Sequence, residues 1–353
     1  MRFVVTLFIT SLFIVNATAG EQPRGVRLQD FAWPEAEKLL RPETVIVIPL
    51  GAQSKEHGPH LKLENDFLIA SYLADQIRRR ADVVVAPIIN YSFFPAFVEY
   101  PGATTLRFTA ARDQIVDICR DLSRFSPRRF YVLNTGVSTN RPLKAAAAIL
   151  RDDGIEMRFT DLLKVMDPIT KPLAKQPEGT HADEIETSIM LYIAPQSVDM
   201  RKAVLDIHPR NGEGGLTRDE KRPGVYSPSG VYGDATLATR AKGKKVTDAL
   251  VRTILSEIEE LRHCDLPPES SVDASDLTGT YRFPDGHDVV VAEDGRSLKT
   301  TLPDKRVVIL RRDSGKHFYS ATSLVDLRFV EVQGVSAVVI ENGSDTMIGI
   351  RQP

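Results

Sequence analysis

Two stretches of this 353-residue chain concentrate side chains able to bind a metal ion or move a proton. The first runs Gly51-Ala52-Gln53-Ser54-Lys55-Glu56-His57-Gly58-Pro59-His60 and continues through Leu61-Lys62-Leu63-Glu64-Asn65-Asp66. Imidazole nitrogen and carboxylate oxygen are donors that Zn2+ and Mn2+ accept. A carboxylate can also bridge two such ions, which sharpens water as a nucleophile. The second stretch is Glu178-Gly179-Thr180-His181-Ala182-Asp183-Glu184-Ile185-Glu186-Thr187-Ser188, at the start of an expected helix that Thr180 or Asp183 would cap. His181 at the helix entrance and Glu186 in its first turns can aim at one centre without sharing a helix face. Taken alone, each stretch also reads as ordinary structure: a solvated loop with one structural histidine, and an acidic first turn favoured by the helix dipole.

The elements around these stretches alternate between short apolar runs and amphipathic helices from about residue 30 to 262. Val45 to Leu50 is a β-branched run typical of a strand buried on both faces. Asp66 to Arg80 shows helical spacing, with Leu68, Ile69, Tyr72, Leu73 and Ile77 on one side. Strands are expected at Val83–Val85, Phe130–Leu133 and Ile155–Phe159, and helices over 110–124, Arg141–Arg151, Asp183–Ile193 and Ala241–Leu261. This alternation predicts βαβ units and a mainly parallel sheet covered on both faces. Such sheets carry their functional loops at the carboxyl ends of strands, so the segments after Leu50, Val85 and Leu133 are the ones to search.

Past a polar, proline-rich break at Leu266-Pro267-Pro268-Glu269-Ser270-Ser271, helical periodicity vanishes. Short strands are expected at Thr278–Phe283, Asp288–Val291, Val307–Leu310, Phe318–Ala321, Leu327–Val332 and Val335–Ile340. Asp285-Gly286, Asp294-Gly295 and Gln333-Gly334 supply turns between them. The reading is an antiparallel sheet or half-barrel, and its Leu277-Thr278-Gly279-Thr280-Tyr281 opening resembles lipocalin-like appendages of some exported hydrolases. The expected organisation is a leader over 1–19, a domain over 20–262, a linker over 263–276 and a β-rich domain over 277–353.

The leader expectation rests on Met1-Arg2, an apolar run from Phe3 to Val15, and the small-x-small ending Ala17-Thr18-Ala19. The run is shorter than the roughly 20 residues of a spanning helix, so cleavage and export to a periplasm or medium are expected. No later segment is long and apolar enough to span a bilayer. A formal charge of −2 and a pI near 6.4 argue against a general nucleic-acid binder. Cys119 and Cys264 are too far apart in sequence to form a metal cluster, and neither is assigned chemistry.

Together, the motifs resemble the creatininase family. Its pattern is a strand ending in Pro-x-Gly, then Glu-x-His-Gly-Pro-His-Leu-Pro-x-x-x-Asp, Phe-Pro-Gly-Thr, a Gly-His-Gly-Gly-Asn loop, His-Ala-Gly-x-x-Glu-Thr-Ser and Gly-x-x-Gly-Asp-Pro. This chain offers Pro49-Leu50-Gly51, His57-Gly58-Pro59-His60-Leu61 through Asp66, and Tyr100-Pro101-Gly102-Ala103-Thr104. It then offers His181-Ala182-Asp183-Glu184-Ile185-Glu186-Thr187-Ser188 and Ser229-Gly230-Val231-Tyr232-Gly233-Asp234, in the same order.

The resemblance implies a three-layer α/β/α sandwich, hydrolysis of C–N bonds in cyclic amides, lactams or formamides with two divalent metals, of which this chain would hold one or two as Zn2+ or Mn2+, and a homo-oligomer. Carried over position by position, it makes His57 and Asp66 metal ligands, with Asp66 bridging, Glu186 a carboxylate close to the ions, and His181 a residue that handles protons. Three departures stand out. The family's first glutamate falls where this chain has Lys55, and Glu56 could serve instead only if the one-residue-longer loop bulges. The glycine-rich loop is replaced by Leu133-Asn134-Thr135-Gly136-Val137-Ser138-Thr139-Asn140, without its histidine. Phe97 stands where relatives often carry a histidine.

The expected activity is therefore metal-assisted hydrolysis of an amide-type C–N bond in a small molecule. Glu56, His57, Asp66 and Glu186 would hold the metal, with His60 as a possible substitute ligand. His181 and Glu186 would act in catalysis, and Asn134, Thr135 and Ser138 would contact the substrate. The alternatives are a non-catalytic binding protein on the same scaffold and, more weakly, a metallophosphoesterase-like activity.

Overall fold

A computed structural model describes residues 22–268 and 275–353, less 295–296, 303, 315, 321–322, 324 and 343–344. The expected leader, part of the expected linker, Gly295 and Ala321 lie outside the described residues. The chain divides into two compact units, Met1–Glu269 and Ser270–Pro353.

The first unit is built on a five-stranded sheet of order β1-β3-β2-β4-β5: Val26–Arg27, Val84–Val85, Val45–Leu50, Arg129–Asn134 and Glu156–Phe159. Every pairing is parallel, as the βαβ alternation predicts. Side chains of the central strands alternate between two apolar layers, because successive residues of a strand point to opposite faces. Val45, Val47, Tyr131 and Leu133 pack on one side against helices α2 (Asn65–Arg80), α6 (Glu184–Ile193) and α7 (Arg240–His263). Ile46, Ile48, Leu50, Phe130 and Val132 pack on the other against α3 (Phe108–Ser123) and α4 (Asn140–Asp152). The result is the expected three-layer α/β/α sandwich.

Cys119 belongs to the second layer and Cys264 packs against the first, so the sheet separates the two free thiols. On α2, Ile69, Leu73 and Ile77 recur at four-residue spacing and are buried, while Arg78, Arg79 and Arg80 close the helix where its dipole favours cations. Between α6 and α7 the backbones nearly touch: a Cβ on Gly243 would lie 1.8 Å from the Ser188 carbonyl oxygen. Only glycine permits that approach. Elements absent from the sequence reading are β1, α1 (Trp33–Leu39), α5 (Leu162–Thr170) and short strands between Leu205 and Asp234. These pieces are too brief, or too broken by Pro and Gly, to show a period.

The second unit is antiparallel as expected, and its eight strands close into a full barrel where the sequence reading had a sheet or half-barrel. The strands are Gly279–Arg282, Asp288–Asp294, Ser297–Thr301, Val307–Ser314, His317–Tyr319, Val325–Val332, Val335–Asn342 and Asp345–Arg351. Ser297–Thr301 and Asp345–Arg351 are the two that the sequence reading lacked. The latter closes the ring, pairing Arg351 with Tyr281 and Ile350 with Arg282. Tyr281, Leu298, Leu310, Phe318, Leu327, Val338 and Ile340 are fully buried and pack into one apolar cluster. The Gln333-Gly334 turn has positive φ at both residues, +51° and +80°, the backbone of a tight hairpin.

Candidate metal centre

The centre forms where the carboxyl ends of Val45–Leu50 and Arg129–Asn134 meet the amino ends of α2 and α6. Gly51 makes the first junction possible, since a Cβ there would fall 2.3 Å from the Asp66 carbonyl oxygen. The loop is then pinned back on itself by Lys55 N donating to Leu63 O at 3.1 Å. At the second junction Asp183 caps α6, its Oδ1 accepting from Ile185 N and Glu186 N, both at 2.9 Å. Ala182 sits in the left-handed region at φ 48°, and its N–H donates to Glu186 Oε2 at 2.7 Å. His181 lies in a β-bridge with Tyr232, which fixes its backbone.

The tautomers of the two central histidines follow from their partners. His57 Nδ1 lies 2.9 Å from the Lys55 carbonyl oxygen, which can only accept, so Nδ1 carries hydrogen and Nε2 turns inward. Nε2 is 3.0 Å from Asp66 Oδ1 and 3.3 Å from Glu186 Oε1. His181 Nε2 lies 2.9 Å from the Glu56 carbonyl oxygen and 3.1 Å from Glu56 Oε2, both acceptors, so its Nδ1 is left facing Glu186 Oε2 at 3.8 Å. Such an outer hydrogen bond to a carbonyl or carboxylate is how metal-ligating histidines are held. Asn65 Nδ2 donates to Glu186 Oε1 at 2.9 Å and orients that carboxylate. Lys55 Nζ stands 2.6 Å from Asp66 Oδ2, over the rings of Phe97 and Phe94.

Burial sharpens these charges. Desolvation and the Lys55 ammonium oppose protonation of His57, yet Asp66 and Glu186 prevail and push it up to about 9. Burial works against ionising Asp66 and Glu186 as well. Lys55 and His57 nevertheless hold the Asp66 carboxyl below its usual value, and His57 and His181 hold Glu186 well below. Burial lowers His60 to about 4, leaving a neutral ring whose Nε2 meets Thr187 Oγ1 at 2.8 Å.

The donor set fits one divalent ion. Ligand atoms of His57, His181 and Glu186 lie within 4.8 Å of one another, two imidazoles and a carboxylate of the kind Zn2+ and Mn2+ accept. Two buried polar atoms left without a hydrogen-bond partner lie in the same region, His60 Nδ1 and Asn65 Oδ1, whereas Asp66 Oδ2 is met by the Lys55 ammonium. Such atoms are costly unless something else meets them.

His57, Asp66, His181 and Glu186 are thus brought together, as their types predict. Glu56 turns elsewhere: its Oε1 accepts from Gly58 N and its Oε2 faces His181 Nε2, placing it behind that imidazole. Asn134, Thr135 and Ser138 all line the cavity at the centre. Asn134 is fully engaged, with Gly136 N, Gly136 O, Thr139 Oγ1 and Asn140 Oδ1 in its own loop and Thr160 O past the neighbouring strand as partners. Thr135 donates to Leu50 O at 3.0 Å. Phe97 stacks on His181, ring centres 4.2 Å apart. Lys55 and Asn65 were missed as site residues. The signal available for Asn65 was its place beside Asp66, at the first turn of the helix that delivers both.

The creatininase (creatinine amidohydrolase) family profile matches residues 29–258. A mycofactocin precursor peptide peptidase of Mycolicibacterium smegmatis is 27% identical over 228 residues, covering 61% of this chain and 84% of its own. The creatinine amidohydrolase of Pseudomonas putida is 25% identical over 264 residues, covering 69% and 99%. Among solved structures, a mutant creatininase of the Zn-Zn type superposes with a TM-score of 0.56 at 23% identity, covering 68% of this chain and 99% of that one. These named relatives are hydrolases. With the motif order, the sandwich and the profile match in agreement, the chain belongs to the creatininase family.

Proposed function

We propose that the protein is a metal-dependent hydrolase that cleaves an amide-type C–N bond with water. The observation that carries this reading is the convergence of His57 Nε2, His181 Nδ1 and the Glu186 carboxylate on one point at the wall of a cavity. Those three groups, with Asp66 beside them, would hold a Zn2+ or Mn2+ ion. Such an ion supplies an acidified water near neutral pH and polarises a carbonyl. The protein's own groups fix the geometry. Lys55 O and Glu56 lock the two imidazoles in the ligating tautomer, and Asn65 and Ala182 N hold Glu186. In this reading the lone pair of His181 that a proton-handling role would use is the one aimed at the ion.

The cavity favours a substrate larger than one small ring. Its volume is about 720 Å³, within the range of sites that enclose drug-sized ligands. Phe94, Phe97, Val137, Leu162 and Met166 provide apolar wall, with Ser138 as a polar contact. Apolar walls around a few polar groups suit a peptide-like or substituted cyclic amide. Export by way of the Met1–Ala19 leader and assembly into a homo-oligomer belong to the same proposal.

The test is elemental analysis of the purified mature protein, followed by assay on lactams, formamides and short peptides. Bound zinc or manganese, with turnover that a chelator abolishes, is the expected result. His181→Ala should lose metal and turnover together; retained metal with lost turnover would return it to proton transfer. A protein that refuses both metals would favour the non-catalytic binding reading.

A further inference from the structure

We infer that the Lys55 ammonium is a built-in cation occupying the place of a second metal ion, so that the centre holds one divalent ion and not two. The inference rests on the metal-dependent reading above. Asp66 is only 1% exposed, and its two oxygens have different neighbours. Oδ1 meets His57 Nε2 at 3.0 Å, on the side of the converging ligands. Oδ2 meets Lys55 Nζ at 2.6 Å, yet has no partner in hydrogen-bond geometry, so the contact is an ion pair. A carboxylate that bridges two ions gives one oxygen to each. Here a side chain of the protein already stands at one of those oxygens.

The surroundings of Nζ are those of an ammonium and not of a metal. The Phe97 and Phe94 ring centres lie 4.7 and 5.7 Å away, a setting that favours an organic cation but offers no lone pair to zinc or manganese. From the neighbouring strand end, Thr135 directs its hydroxyl to the Leu50 carbonyl, and Asn134 is tied into its own loop. Among the described residues, the ligand group that converges is His57, His181 and Glu186.

Charge leads to the same count. Glu56, Asp66 and Glu186 bring three negative charges into a nearly closed site, with side chains 8%, 1% and 18% exposed. One ammonium and one divalent ion neutralise them. A second divalent ion would add positive charge beside Nζ, which is costly in a buried site unless an anion accompanies it.

The experiment titrates chelator-stripped full-length protein with Zn2+ and, separately, Mn2+, and counts bound ions by elemental analysis. One equivalent is expected. Two equivalents in the wild type would overturn this inference and leave the metal-dependent reading standing, whereas no uptake would overturn both. Lys55→Met keeps the bulk and removes the charge. It is expected to bind its single ion at least roughly tenfold more tightly, because a nearby repelling charge is gone. Unchanged or weaker affinity in a variant whose melting curve shows it folded would reduce Lys55 to a loop-holding residue and overturn the inference. Should the variant misfold, anomalous scattering from Zn-soaked wild-type crystals decides. One peak beside His57, His181 and Glu186 is expected; a peak at Asp66 Oδ2 with Lys55 displaced would overturn it.

Discussion

The two units of this chain differ in what they bury beside their apolar cores. The sandwich keeps Lys55, Glu56, His57, His60, Asp66, His181, Asp183 and Glu184 each less than a tenth exposed. The barrel's buried cluster is apolar, with Phe318 and Phe329 meeting edge to face at 5.7 Å. Burying charge costs folding free energy unless partners return it, so a domain keeps such a cluster for what it can bind. A domain whose interior is filled by apolar side chains needs no such partner. The difference assigns the chemistry to the sandwich, and it can be broken experimentally one unit at a time.

Paired substitutions should show the largest effect. Asp66→Ala leaves the Lys55 ammonium buried without its anion, an expected cost of about 3–5 kcal/mol, together with loss of metal uptake. Phe318→Ala should cost a similar ~3–5 kcal/mol by leaving a cavity, with metal stoichiometry unchanged. Calorimetry with elemental analysis checks both; metal loss in the Phe318 variant would end the division of labour. Smaller is the effect of Glu56→Gln, which weakens the acceptor behind His181. Metal affinity should fall by roughly 10–100-fold with the fold intact, as for other groups behind a ligand. An unchanged dissociation constant would count against Glu56 as the group that positions His181.

Smallest is a pH effect. His60 is lowered to about 4 in the folded protein, against 6.5 for an unperturbed ring. Below 6.5 the unfolded chain takes up a proton that the native ring refuses, so this group's contribution is intact above 6.5 and lost as pH falls toward 4. His60→Gln should therefore show a shallower decline of stability over that window, by at most one proton's worth of slope. Identical slopes in the two proteins would mean that the ring titrates normally.

Much of this was legible from residue types and order. Val45 to Leu50 announced a central strand because both faces of it are buried, and the 3.6-residue spacing of α2 reflects its one apolar face. His57 and Asp66 on one stretch and His181 and Glu186 on the other were expected to meet because the motifs that carry them, in their order, resemble the creatininase pattern. What escaped depends on tertiary contact. Lys55 looked like a departure from a pattern, since nothing local to a lysine states that it will be buried against an aspartate eleven residues on. The direction of Glu56 is set by Gly58 N and by His181, 125 residues away. The strand Ser297–Thr301 carries Lys and three hydroxyl residues among five, and its inward Leu298 and Thr300 make too short an alternation to stand out.

The donors that converge at the centre come from residues 57 to 186, and Asn65 reaches Glu186 across 121 positions of chain. No fragment that ends before α6 can assemble them. Selection of the metal is therefore an event of the finished domain and not of the growing chain. If the chain is exported and metal-dependent as proposed, the ion acquired would be the one on offer where folding ends, so supply in the receiving compartment, rather than affinity alone, would decide which metal it carries.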